Sequence, residues 1–123
     1  MIRIIKSKIC QSEIKALCQA HFGTMIKFVV DVAQEIVALG GDMHADAEAL
    51  LLENGSKQSD LWGGNLYPWN APENRIDYIS FINIRPMENN TGMDVQDESC
   101  RARISDILQT LVLRPEENME PLD

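Results

Sequence analysis

The stretch Met25 to Gly41, MIKFVVDVAQEIVALGG, constrains the fold of this chain most. It is dense in apolar, β-branched side chains, so a fold must bury it. Two periodicities compete within it. Met25, Phe28, Val29, Val32, Ile36 and Leu39 fit one helical stripe. Phe28, Val30, Val32, Ile36 and Ala38 fit the alternation of a strand, which breaks at Gln34. The β-branched density favours strand, and Gly40-Gly41 then reads as a hairpin turn.

Around it the pattern is mixed. MIRIIKSKI reads as a first strand, and QSEIKALCQAHFG as a helix with Ser12 as its cap, Ile14, Leu17 and Cys18 inward, and Gly23 at its close. HADAEALLLEN pulls two ways. Its Ala, Leu and Glu content favours helix, with Asp46 as a possible cap and Gly55 past its end, and the strand alternative stays open here. DLWGGNLYP reads as a strand in which Gly63-Gly64 marks a bulge or a close backbone approach. RIDYISFINIRP has apolar residues on both alternating faces, the pattern of a central strand, and Pro86 ends it. Asp97 caps a last helix with Ile104, Ile107, Leu108 and Leu111 in one stripe, and Pro115 stops it.

The expectation is one α+β domain over residues 1–114 and a disordered acidic tail over 115–123. Its sheet is mostly antiparallel with about five strands in the order β-α-β-β-β-β-α, and two helices flank it.

Composition narrows function. A net charge of −8 in 123 residues lacks the positive field that draws nucleic acid, so that partner is disfavoured. No apolar run approaches the ~20 residues of a membrane span. Cys10, Cys18 and Cys100 lack CxxC spacing, and the charged start MIRIIKSKIC does not read as a secretory signal. A reduced, cytoplasmic setting is therefore expected.

His44, Asp46 and Glu48 are the residues most suggestive of chemistry. On a strand, positions i, i+2 and i+4 share one face. One imidazole and two carboxylates could then work as an acid-base set or hold a divalent metal. On a helix the three diverge. Arg85, at the end of a strand, could clamp an anion through its planar fork, or pair internally with Asp46, Glu48 or Asp97. Trp62, Asn65 and Asn83 carry polar groups that require partners if buried. Arg101 stands one turn after Asp97 as its ion-pair partner.

Taken together, H-x-D at His44 and Asp46, G-S at Gly55-Ser56, W-G-x-N at Trp62 to Asn65, I-N-I-R-P at Ile82 to Pro86, Asn90, and D-x-x-x-R at Asp97 and Arg101 resemble a small prokaryotic family. That family is known only as a domain of unknown function. The resemblance spans about Met1 to Leu113, and implies a β-meander flanked by two helices but no activity. The loop after Pro86 departs from it. Relatives look like Q-G-N plus a basic residue, where this chain has Glu88-Asn89-Asn90-Thr91. Asn89 can stand for a glycine at positive φ, but the missing basic residue weakens an anion-binding role.

Two functions fit these features. One is a polar pocket at a sheet rim, lined by His44, Asp46, Asn65, Asn83 and Arg85, that takes an anionic small molecule. The other is a protein-protein interaction or homodimerisation module without catalytic activity. Whether a cofactor is used is left open. A convergent cleft around His44 and Arg85 would favour the first, and an exposed apolar patch the second.

Overall fold

The run Met25–Gly41 folds as two strands, β2 (Ile26–Asp31) and β3 (Ile36–Gly40), paired antiparallel. The turn between them lies where the alternation breaks, around Gln34, and not at Gly40-Gly41. Asp31 builds it. Its buried carboxylate accepts the backbone N–H groups of Ala33 and Gln34, both at 2.9 Å, the Gln34 side chain at 2.8 Å, and the Ser56 hydroxyl at 2.6 Å. Burial raises the Asp31 pKa, but these bonds together outweigh it and leave the pKa below the ordinary carboxylate value. Gly40 and Gly41, at φ +109° and +86°, lead the chain out of β3 instead.

The structure, a computed structural model, describes residues 1–122. Besides β2 and β3 it contains β1 (Ile2–Ile5), α1 (Gln11–Ala20), α2 (His44–Glu53), β4 (Leu61–Leu66), β5 (Ile76–Asp77) and α3 (Glu98–Leu111). The fold is α+β, with one antiparallel five-stranded sheet in the order β1-β3-β2-β4-β5. Alternation along the strands divides the core. Ile5, Phe28, Val30, Val37, Leu39 and Leu66 pack with the inward stripes of α1 and α3. Val29, Ala38 and Leu61 pack on the other face with Ala47 and Leu51 of α2.

Several sequence expectations change. The segment Met43–Asn54 is a helix, so three helices cover the sheet rather than two. The expected five strands are reached because the Met25–Gly41 run splits in two. Helix wins in α2 because Ala, Leu and Glu carry the best propensities, and because Ala47 and Leu51, at i and i+4, suffice to cover the small patch at Val29 and Ala38. RIDYISFINIRP is not a central strand. Only Ile76–Asp77 pair, at the sheet edge, and the chain then turns through short 3₁₀ segments at Phe81–Asn83 and Pro86–Glu88. At α1 the cap is Cys10, not Ser12, and no side chain bonds there.

Two other readings hold, the Asp97 cap and the close approach at Gly63-Gly64. Asp97 caps α3 by accepting the Ser99 N–H at 3.0 Å. Gly63 and Gly64 are sites of close approach. A Cβ on Gly64 would lie 2.2 Å from the Asp77 carbonyl oxygen and 2.5 Å from the Phe28 ring. One on Gly63 would lie 2.9 Å from Ser80 Cβ. Arg101 does not pair with Asp97. It donates to the Val95 carbonyl and lies over the Tyr78 ring, 4.8 Å from its centroid.

The segment expected as a disordered tail is anchored up to Glu120, while Asp123 lies outside the described residues. Buried Arg75 donates to the carbonyls of Arg114 at 3.1 Å and Glu117 at 2.6 Å, and Trp69 donates to that of Glu120 at 2.8 Å.

Candidate functional site

The carboxylate–histidine set does not converge. His44 opens α2, and on a helix Asp46 lies about 200° around the axis from it. His44 turns toward the sheet, where its Nε2 lies 2.7 Å from the Gly64 carbonyl oxygen. A carbonyl can only accept, so Nε2 carries the proton. Burial holds the His44 pKa below its ordinary 6.5, which keeps the ring neutral at neutral pH. Asp46 is exposed, and Glu48 lies near enough to Arg85 to favour its charge. Among the described residues, no three His, Cys, Asp or Glu side chains stand together as a metal-binding group.

The remaining candidates each serve the frame. Asn65 on β4 donates its side-chain amide to Asp77 Oδ1 at 2.9 Å, fixing the short β4–β5 register. Asn83 is fully buried. Its Oδ1 accepts the Gly63 N–H at 2.9 Å, and the two hydrogens of its Nδ2 are shared among the carbonyls of Gly63 at 2.9 Å, Met93 at 3.0 Å and Tyr78 at 3.1 Å. Arg85 donates to the carbonyls of Gln58 and Leu61, and its guanidinium stacks 3.8 Å from the centre of a Trp62 ring. Its Nε lies 3.3 Å from Glu88 Oε2. With its fork held by backbone carbonyls, Arg85 has little left for an incoming anion.

The segment 79–97 is irregular but tightly held. Backbone bridges join Ile79 to Asp94 and Arg85 to Asn90. Asn90 is buried and works as Asn83 does. Its Nδ2 reaches the carbonyls of Asn83, Gly92 and Asp94 at 2.8–3.1 Å, and its Oδ1 accepts the Gln96 N–H at 2.9 Å. Asn89 turns the chain at φ +60°. Two buried amides thus take the place of a regular ladder in satisfying this backbone.

What the loop presents outward is apolar. Phe81 is 75% exposed, Met87 97%, and Ile79 and Ile84 41% each. Ile84 N–H bonds to the Phe81 carbonyl, so the two side chains sit one 3₁₀ turn apart on one side. Sequence reading missed this surface by taking the segment as a covered strand. The available signal was its turn chemistry: Ser80, Pro86, Asn89-Asn90 and Gly92 are too many breakers for a central strand.

Beside the loop lies an open cleft of about 630 Å³. Trp62, Asp60, Glu88, Asp97, Cys100 and Arg103 line it, with Asn89 and Asn90 from the loop itself. Burial raises the Cys100 pKa, so its thiol stays protonated at neutral pH and is a poor nucleophile. No helix among the described residues is long and apolar enough to cross a membrane.

Comparison with known proteins gives a family and nothing finer. The family described as Protein of unknown function (DUF5674) matches residues 3–111. No curated protein and no solved structure matches.

Proposed function

The chain belongs to the DUF5674 family of proteins of unknown function, and from that premise we propose that it is an interaction module which docks an apolar segment of another protein on the loop 79–88. The observation that carries this reading is the contrast within the loop. Buried Asn83 and Asn90 hold its backbone rigid, while Phe81, Ile84 and Met87 face solvent. Large apolar groups on a preorganised backbone lose little entropy on binding, and burying each contributes roughly 1.5–3 kcal/mol. A second copy fits less well than a different protein, because each copy carries −8. The anion-pocket reading loses its main residue, since the Arg85 fork is occupied by carbonyls and the stacked Trp62.

A displayed random-peptide library selected against the protein, and against a Phe81→Ser/Met87→Ser double variant, tests the reading. Light scattering on the same samples reads the mass. The expected result is a 13.9 kDa monomer that enriches peptides with two or three large apolar residues, an enrichment the double variant loses. Equal enrichment on both proteins, or none, overturns the reading. A doubled mass that the double variant abolishes replaces the partner with a second copy.

A further inference from the structure

Arg75 is a buried cation without a counter-ion. It is 4% exposed, and among the described residues no carboxylate pairs with it. Backbone fills its fork instead, with Nη1 on the Arg114 carbonyl, Nη2 on that of Glu117 and Nε on that of Asn70. A guanidinium cannot lose its charge, and neutral carbonyls compensate it less well than a carboxylate does. Two of these three partners belong to the segment 114–120, which the body holds elsewhere in the same manner. Gln11 Nε2 donates to the Asn118 carbonyl at 3.0 Å, and Trp69 Nε1 to that of Glu120 at 2.8 Å. Lys8 Nζ lies 3.1 Å from Glu117 Oε1, and Met119 is buried in the main core cluster. Side chains of the body thus bind the carbonyls of an irregular segment, one acid and one apolar side chain. Main-chain bonds give such contacts affinity, and side-chain contacts give them specificity. The groove lies within the residues that the family matches, 3–111, and its filling lies beyond them.

We propose that Lys8, Gln11, Trp69 and Arg75 form a groove for an acidic segment of another protein, and that the chain's own residues 114–120 fill it as a displaceable strap. The charge favours the exchange. The strap gives Arg75 only carbonyls, whereas a segment that sets a carboxylate on the same fork forms a charge-assisted pair. The strap's hold is also thin. Arg114, Asn118 and Glu120 are exposed, and of its side chains only Met119 is buried. The groove shares no residue with the loop 79–88, so its occupancy is independent of what docks there.

The probe is a synthetic peptide with the sequence of residues 114–122, RPEENMEPL. The readout is the Trp69 indole N–H by NMR, assigned with Trp69→Phe. In the full chain, Glu117→Ala/Met119→Ala should free the strap, break the Trp69 bond to Glu120 and shift that signal. The peptide should then restore it saturably. A control peptide with Glu117→Gln and Met119→Ser should bind roughly tenfold more weakly, the worth of one buried Met and one exposed ion pair. No shift in the variant, a shift that the peptide does not restore, or equal restoration by the control would each overturn the proposal. Hydrogen exchange on the unaltered chain tests displacement without any substitution. The amides of Glu117 and Glu120, bonded to the Arg114 carbonyl and to Gln11 Oε1, should exchange through a local opening that urea below the unfolding transition does not accelerate. Exchange as slow as that of the α3 amides, and accelerated by urea as theirs is, would make the segment part of the core and overturn the proposal.

Discussion

Two regions of this molecule are held in opposite ways. Around β2 and β3 the chain is ordered by area. Phe28, Val30, Val37 and Leu39 vanish beneath α1 and α3, and Val29 and Ala38 beneath α2. Between Ile79 and Gln96 hardly any apolar side chain is buried, Val95 being the exception. There two isolated backbone bridges and the buried amides of Asn83 and Asn90, which bond to carbonyls and N–H groups from several segments, order the chain. Apolar burial is non-directional and tolerates many side chains of similar size, whereas a buried amide works only with its donors and acceptors in place. The first arrangement hides apolar residues. The second frees them for the surface, which is what a docking loop requires.

The largest expected effect probes this contrast at its centre. Asn83→Leu keeps the branched shape but strands the buried Gly63 N–H and carbonyl and takes a second partner from the Tyr78 and Met93 carbonyls. It should cost about 3–5 kcal/mol, as much as Phe28→Ala in the apolar core. Urea unfolding of the two variants side by side checks this. A cost below about 1 kcal/mol for Asn83→Leu would mean that packing holds the loop after all.

A smaller effect ties the two regions by pH. His44 of α2 bonds the carbonyl of Gly64 on β4, and its folded pKa lies below 6.5. The folded state therefore binds fewer protons than the unfolded state. The contribution is whole above pH 6.5 and is lost as pH falls below that value toward the folded pKa. Urea midpoints should fall between about pH 7 and pH 5, and His44→Gln should flatten that dependence. An identical slope in the variant would assign the acid sensitivity to other groups.

The smallest expected effect on stability comes from the exposed apolar side chains of the loop, the proposed docking surface. Phe81→Ser/Met87→Ser removes side chains that are 75% and 97% exposed, so the unfolding midpoint should stay within about 0.5 kcal/mol of the parent. A large loss would show that these side chains serve the fold rather than a partner.

Legibility followed the same division. α1 and α3 were readable because Ile14, Leu17 and Cys18, and Ile104, Ile107, Leu108 and Leu111, repeat at helical spacing and are buried as that spacing implies. The Asp97 cap, the close approach at Gly63-Gly64 and the left-handed Asn89 were readable because each depends on a few neighbouring atoms. Asp31 was missed as the organiser of the β2–β3 turn, since its fourth partner, Ser56, lies far along the chain. The candidate residues were named, but the expected convergence of His44, Asp46 and Glu48 depended on a strand. His44, Asp46 and Glu48 share a face only on a strand, and that segment is a helix.

The sequence by itself determined the fold class, the two outer helices and the strand character of Met25–Gly41, because local propensity and apolar periodicity agree there. Only the tertiary structure decided the rest. It made Met43–Asn54 a helix, because the patch of Val29 and Ala38 is small enough for Ala47 and Leu51 to cover. It also turned RIDYISFINIRP from a buried strand into a presented loop. In that segment apolar residues alternate with polar ones whose role depends on partners elsewhere in the chain. Asn83 could satisfy Gly63 and Met93 only once β4 and the segment after Asn90 had been brought beside it. A hydrogen bond between distant residues leaves no period in the sequence, so the side chains it turns outward could not be read there either.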